Sequence, residues 1–363
     1  MSALSRPGRG RHLTAPLRIV HVASGREWRG GQRQVLYLAR GLREAGVDTV
    51  VVTGGGTPLA ERLQDEGLAL HAASWAMGLD PRVVGALLPL LTPGAIVHAH
   101  DNHAHTLADA AVRLRAAPLV ATRRVDFAIR HPARWLRTDR VIALSEPVRA
   151  RCAAAGIPAD RIAVIPPAVA LEAGRTPRPE LVPPVIGCVA ALTPEKGVDV
   201  LIEAAARVHA VAPTVRWRVF GDGPQRPALA KRIAALGLDD VVELAGHVPD
   251  PEREIPGMAL LVQPSRSEGF GSSVLDALAV GVPVVASMTG GLPEALAAGG
   301  GLLVPPGDAP ALAGAVSALL DDPARRRGLG AEGREAARHF AIPAMVARTL
   351  DVYRSLAMSH DAR

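Results

Sequence analysis

The sequence predicts an α/β protein made of two doubly wound domains, each a parallel sheet covered by helices on both faces. Three observations lead there. The chain has 363 residues, long for one domain and natural for two. Short apolar runs alternate with segments of helical apolar spacing, the pattern of parallel strands joined by crossover helices. That alternation is interrupted at Ala170–Pro184 by a stretch with five prolines or glycines and no hydrophobic period, the composition of a linker.

The first series opens on Leu17–Ala23, an apolar run that reads as a strand, followed by a loop over Gly25–Gly31. Gln32–Ala45 carries Val35, Leu36, Leu38, Ala39 and Leu42 at helical spacing. Thr49–Thr53 reads as the next strand, closed by Gly54–Gly56. Ala95–His100, Pro118–Thr122 and Arg140–Leu144 read as further strands. Ser145 is placed to cap a helix over Ser145–Ala155, and Ile162–Pro166 ends the series. The second series restarts with strand Val185–Ala190 and helix Gly197–Ala210, then strand Trp217–Gly221 and helix Arg226–Leu236. Val241–Ala245 and Ala259–Gln263 are strands, Ser273–Ala279 a helix, and Val282–Ser287 a strand. Pro293–Ala297 is a short helix and Gly301–Val304 a strand. Pro310–Leu320 is a helix with proline in its first turn, where the missing N–H costs nothing. Ala344–Leu356 is a final amphipathic helix. The expected organisation is a disordered tail over 1–16, a first domain over 17–170, a linker over 171–184, a second domain over 185–340, and a last helix and tail over 341–363.

Composition narrows the function. No window holds eighteen uninterrupted apolar residues, so no membrane span is expected. The first fourteen residues have no apolar core of a secretory signal. Cys152 and Cys188 stand alone, without a Cys-x-x-Cys pair, which argues against a disulfide framework or a zinc site and fits a reducing cytosol. Residues 1–170 hold 22 arginines against 13 acidic residues, and residues 171–363 hold 19 basic against 22 acidic. The basic excess therefore belongs to the first half and suggests an anionic partner, such as a phosphorylated acceptor or an acidic membrane surface. Nucleic acid is disfavoured, because aromatic residues are 3% of the chain and no run interleaves them with basic residues. Of 41 basic residues only Lys196 and Lys231 are lysine, so a lysine here is chemically suggestive.

In open α/β sheets ligands bind at the carboxyl ends of the strands, so the loops after the strands carry the candidates. Arg29-Gly30-Gly31-Gln32 stands between strand and helix, where glycines admit close approach and a helix N-terminus offers free N–H groups to an anion; its plain alternative is a turn. His98-Ala99-His100-Asp101-Asn102-His103-Ala104-His105 follows a strand, and His98 and His100 share one face. A metal site is the minor reading, a hydrogen-bonding role for His100 the better one, and a polar loop the plain alternative. Thr193-Pro194-Glu195-Lys196-Gly197 places a lysine where it meets a phosphate as a point charge, or is merely solvated. Ser265-Arg266-Ser267-Glu268-Gly269-Phe270-Gly271 is followed by Asp276, and two carboxylates there can each accept hydrogen bonds from sugar hydroxyls; alternatively they are a capping acid and a surface acid. Arg33, Arg123 and Arg124 follow strands of the basic half and are candidates for a phosphate or carboxylate on an acceptor, with Arg130, Arg134 and Arg137 facing an anionic surface.

Taken together, these stretches resemble the family-4 retaining glycosyltransferases of the GT-B fold. The most specific part runs from Pro264-Ser265-Arg266-Ser267-Glu268-Gly269-Phe270-Gly271 through Asp276-Ala277-Leu278-Ala279 and Gly281-Val282-Pro283-Val284-Val285-Ala286 to Gly290-Gly291-Leu292-Pro293-Glu294. Pro194-Glu195-Lys196-Gly197, Gly221-Asp222-Gly223-Pro224 and Val164-Ile165-Pro166-Pro167 support it. The resemblance implies two Rossmann-like domains facing across a cleft, with the C-terminal helix crossing back to the first domain. It implies transfer of a sugar from a UDP- or GDP-linked donor to a hydroxyl, with the anomeric configuration retained and no bound cofactor. Gly30 and Gly31 would approach the donor phosphates, His100 the transferred sugar, and Lys196 the diphosphate. Glu268 would hold the donor sugar, Phe270 and Gly271 would line the phosphates with backbone, and Asp276 would take the ribose hydroxyls. Acceptors of the family are envelope polysaccharides, lipopolysaccharide core and lipid-linked sugars, so a cytoplasmic enzyme, peripheral on the inner face of the membrane, is expected. Alternatives are a nucleotide-sugar epimerase of the same architecture and a catalytically weak nucleotide-sugar-binding subunit. Two positions depart from the pattern: Ala191 stands where an arginine is usual, and Asp276 where a glutamate is usual. Arg266, or an arginine of the first domain, is a candidate for the missing charge. No Asp-x-Asp motif occurs, so phosphate charge is expected to be met by protein groups and not by a metal.

Overall fold

The computed structural model describes residues 16–75, 80–171 and 182–360. The expected tail over 1–16 lies outside them except for its last residue, as does most of the expected linker over 171–184. The first half folds as β1 (Arg18–Val22), α1 (Gly30–Glu44), β2 (Asp48–Gly54), α2 (Pro58–Asp65), β3 (Leu70–Ala73), α3 (Pro81–Leu87), β4 (Ala95–Ala99), α4 (Asn102–Leu114), β5 (Leu119–Arg123), α5 (Pro132–Arg137), β6 (Arg140–Ala143), α6 (Glu146–Ala154) and β7 (Ile162–Val164). The second half continues with β8 (Val185–Val189), α7 (Val198–Val211), β9 (Arg216–Phe220), α8 (Arg226–Ala235), β10 (Val242–Gly246), β11 (Leu260–Gln263), α9 (Ser272–Val280), β12 (Val284–Ser287), α10 (Leu292–Ala295), β13 (Gly301–Val304), α11 (Ala309–Leu320), α12 (Pro323–Ala337) and α13 (Ile342–His360).

These form two sheets, seven-stranded in the order β3-β2-β1-β4-β5-β6-β7 and six-stranded in the order β10-β9-β8-β11-β12-β13. Every strand pair is parallel. Ile19, Val20, Val22, Val97 and Val120 are fully buried, which is why these strands read as continuous apolar runs and not as alternating ones. Each sheet reverses its strand order once, between β1 and β4 and between β8 and β11. At such a switch point neighbouring crossovers leave in opposite directions and open a crevice.

The segment after β4, with a polar loop as its plain alternative, is mostly helix. Asp101 ends the strand and accepts from the Ala104 N–H at 2.8 Å as the N-cap of α4. Ala104, Leu107, Ala108 and Ala111 carry the buried stripe, so His103 and His105 lie on a helix. Both cysteines are buried thiols, pushed up by burial to about 11 for Cys152 and about 12 for Cys188. No helix among the described residues is long and apolar enough to cross a membrane.

The last helix returns to the first sheet, as expected. Val346, Leu350, Tyr353 and Leu356 of α13 pack with Ile19, Leu38, Leu42, Ile96 and Val120 in one cluster. Val346 sits where a Cβ on Gly41 of α1 would be, 2.4 Å from its Cγ2, so the helix lies directly on α1. The Tyr353 hydroxyl ends the contact in a 2.6 Å hydrogen bond with His98 Nδ1. Leu350→Ala should therefore cost about 2–5 kcal/mol of stability and speed amide exchange in β1 and α1 before β8–β13. Equal acceleration in both sheets would show that α13 does not belong to the first core.

Candidate active site

Both switch points face one cleft of about 610 Å³, within the size range of small-molecule sites. From the first domain it is walled by residues at the start of α1, including Gly30 and Arg33. From the second it is walled by the loop after β8 with Ala191 and Lys196, by the ends of β9 and β10, and by Gln263, Glu268, Gly271 and Asp276 around the start of α9.

Local sequence explains this concentration of backbone donors. Neither α1 nor α9 has a side-chain N-cap, so the orphan N–H groups of both first turns stay available. Gly271 precedes α9 in the left-handed conformation, with φ 90°, where a side chain would be strained. A Cβ on Gly30 would stand 2.6 Å from Ser272 Oγ, so the glycine lets α1 approach the mouth of α9.

Glu268 is the best-supported side chain of the site. Lys196 Nζ donates to both of its oxygens, at 2.9 and 2.8 Å. Oε2 also accepts from Ser265 Oγ at 3.1 Å and Gln263 Nε2 at 3.2 Å, and Ser273 Oγ donates to Gln263 Oε1 at 3.0 Å. A carboxylate this fully engaged is oriented as a hydrogen-bond acceptor. Gln263 and Ser273 were not singled out from sequence, although a buried glutamine ending the apolar run Leu260–Val262 is the kind of signal that marks a strand-end site.

Arg33 crosses between the domains. Its guanidinium meets Asp276 at 2.6 Å and Glu252 at 3.3 Å. Burial works against its charge, but Asp276, the Tyr37 hydroxyl and Glu252 outweigh it, and its pKa is raised. Arg33, expected on the acceptor side, stands on α1 across the cleft from Asp276 and pairs with it. Glu252 stands in a short 3-10 turn, Pro251–Arg253, where no period or motif announces it.

The other two acceptor candidates are turned inward. Arg123 is buried, donates to the Phe127 carbonyl at 2.5 Å and lies 5.5 Å from the Trp135 ring centre. Arg124 donates to the His100 carbonyl at 3.1 Å and meets His100 Nδ1 at 3.3 Å; burial lowers its pKa to about 10. Neither lines the cleft. Of the expected anionic-surface arginines, Arg134 bonds His105, Thr106 and Asn102 and Arg137 bonds Asp109, while Arg130 is exposed. Arg266 is held by Asp199 at 2.7 and 2.6 Å and does not line the cleft.

Phe270 is buried and stacks edge-on against Phe340, 5.4 Å between ring centres, so its side chain belongs to the core. Gly31 lies under Arg124, whose Cδ would be 3.7 Å from an added Cβ. His100 sits behind the wall and not on it. Its Nε2 is 2.9 Å from His21 Nδ1, and its ring centre is 4.0 Å from that of His98. His98 spends both nitrogens, on Tyr353 and on Thr122 Oγ1 at 2.7 Å. Three ring nitrogens of His21, His98 and His100 lie within 4.8 Å of one another. A cation gathering them would have to break the His98 bonds beside the Arg124 charge, which favours a neutral hydrogen-bonded trio. Burial lowers His21 to about 3. It also holds His98 and His100 well below the usual imidazole range, with neighbouring imidazoles and Arg124 adding to the effect.

Comparison with known proteins covers both halves. Residues 183–322 match the model of the glycosyl transferases group 1, and residues 28–173 that of glycosyltransferase family 4. An exopolysaccharide phosphotransferase of Streptomyces coelicolor is 37% identical over 209 residues, 57% of this chain and 22% of that protein. A D-inositol 3-phosphate glycosyltransferase of Thermobispora bispora is 37% identical over 177 residues, 46% of this chain and 41% of that one. The chain thus spans less than half the length of these curated relatives. The crystal structure of Anabaena HepE with UDP and glucose shares the fold, with a TM-score of 0.81 over 93% of this chain and all of that one, at 20% identity.

The neutral trio makes the first domain acid-labile. An unfolded imidazole binds its proton near pH 6.5, whereas folded His21 does so only near 3. Between those values the unfolded chain binds more protons, so stability present above about pH 6.5 is lost as pH falls toward 3. The melting temperature should fall steadily over that window, and His21→Asn should flatten the slope. An unchanged slope in the variant would remove His21 as its source.

Proposed function

The chain belongs to the group 1 glycosyltransferases, and from that premise we propose that it transfers a sugar from a UDP- or GDP-linked donor to an acceptor hydroxyl, with the anomeric configuration retained. One observation carries this reading. Two uncapped helix N-termini and Lys196 converge on a cleft that also presents an oriented Glu268 and Asp276. Backbone N–H groups and an ammonium suit the leaving diphosphate, and the carboxylates suit the hydroxyls of a sugar and a ribose. The Anabaena HepE structure, which holds UDP and glucose, supports a nucleotide-sugar donor. The names of the relatives support an acceptor from polysaccharide or glycolipid synthesis.

In the proposed reaction the bond from the anomeric carbon to the diphosphate oxygen breaks as the acceptor oxygen bonds the same face. The acceptor proton passes to the departing phosphate oxygen, and the diphosphate leaves with its charge met by Lys196 and the first turns of α1 and α9. Glu268 holds the sugar; with Lys196, Ser265 and Gln263 on its oxygens it is a positioned acceptor and not a nucleophile. With the leaving charge met by protein groups, the reaction needs no metal.

Lys196→Ala should weaken UDP or GDP binding roughly 10- to 150-fold, the equivalent of a charge-assisted bond of about 1.5–3 kcal/mol. Transfer should survive EDTA, and the product's anomeric configuration by proton NMR should match the donor's. Loss of activity with EDTA, restored by a divalent ion, would defeat metal independence. Conversion of the sugar nucleotide without acceptor would reassign the chain to epimerisation.

A further inference from the structure

The cleft proposed to take a doubly charged diphosphate is itself acidic. Its walls carry Glu27, Asp222, Glu252, Glu268 and Asp276 against Arg29, Arg33 and Lys196. Each of those cations already has a carboxylate: Arg29 has Glu27 at 2.7 Å, Arg33 has Asp276 at 2.6 Å, and Lys196 has Glu268 at 2.8 Å. A diphosphate can therefore gain a side-chain cation only by exchange, taking it while another group takes the released carboxylate.

Arg33 is the cation built for that exchange. Arg29 is exposed beside an exposed Glu27, both above 60%, so water can replace either partner. Arg33 is 6% exposed and cannot be left to solvent, because an unpaired buried charge is strongly destabilising. Its Nε is buried and has no hydrogen-bond partner; a guanidinium with an unspent donor is one whose full fork is not yet used. It stands on α1 while both its carboxylates stand on the other domain, so the pair spans the cleft.

We infer that Arg33 is a donor-binding residue: paired across the cleft with Asp276 and Glu252, it turns to the diphosphate when the ribose hydroxyls take Asp276. It then supplies the positive charge that Ala191, on the opposite wall, does not. This rests on the nucleotide-sugar reading above. It also makes one ion pair report donor binding to both domains at once, since the event that occupies the ribose site frees the cation that grips the phosphates.

The test is equilibrium binding of UDP and GDP to the full chain, each beside its own nucleoside. The ratio of nucleoside Kd to diphosphate Kd isolates the phosphate contribution. Arg33→Gln should lower that ratio tenfold or more. Asp276→Asn, which keeps the arginine and removes its main holder, should weaken the nucleoside yet leave the ratio equal or larger. The inference is overturned if Arg33→Gln is folded and its ratio stays within threefold of wild type. It is also overturned, whether or not Arg33→Gln folds, if Asp276→Asn lowers the ratio tenfold. If wild type binds neither UDP nor GDP, the nucleotide-sugar reading itself fails, and this inference with it.

Discussion

Parallel strand pairing is the constraint on which the rest of this molecule depends. A parallel strand cannot return through a tight turn, so each is followed by a crossover that covers a face of the sheet. All carboxyl ends then emerge along one edge. In each half the strand order reverses once, and the loops beside that reversal diverge and leave room. Ser24, after β1, donates its N–H at 2.7 Å and its hydroxyl at 2.5 Å to Asp101, after β4, closing the floor of the first crevice. Gln263 and Ser265, after β11, orient Glu268 toward Lys196, after β8, which does the same in the second. The two crevices face each other because the glycines tolerate close approach: a Cβ on Gly269 would stand 2.0 Å from the Arg124 carbonyl oxygen of the other domain.

Within that frame, charge and not shape sets the character of the cleft. Ion pairs among exposed groups contribute little, and several here are of that kind. The Arg33 pair differs in being shielded on both sides, with side-chain exposures of 8% and 12%. Arg62 adds a second crossing contact, to Asp250 at 2.6 Å, while stacking 4.1 Å over the Trp28 ring. The basic excess of the first half is thus largely consumed internally or across the domain boundary: Arg123, Arg124, Arg134 and Arg137 hold their own domain together. Net charge counted along a chain says how many cations exist, and nothing about which carboxylate or carbonyl each will find.

That difference marks what the sequence makes legible. Strands buried on both faces, such as Ile96-Val97 and Val284-Val285-Ala286, are written as unbroken apolar runs and were found within a residue or two. The half-exposed edge strand Leu70–Ala73, Leu-His-Ala-Ala, has no such signature, and neither does the arginine-rich helix Pro323–Ala337. The Lys196 loop and the Glu268 stretch are legible because their chemistry is local, a few residues between a strand end and a helix start. Arg33 and Asp276 lie 243 positions apart, and no periodicity encodes which of 39 arginines will cross between domains. His100 shows the same limit from the other side. Its position after a strand was plain, but its burial behind His21 and Arg124 follows from three separate elements meeting.

The helix that closes the first domain's core comes after the whole second domain in the chain. During synthesis Ile19, Leu38 and Leu42 emerge early and wait for Val346, Leu350 and Tyr353. At ribosomal rates the intervening domain takes on the order of ten seconds or more to make. Throughout that interval an apolar face of the nascent first domain stays uncovered, and His98 lacks its Tyr353 partner. The domain made first is therefore the domain finished last, and a nascent chain stalled anywhere before residue 342 would display the patch that chaperones recognise.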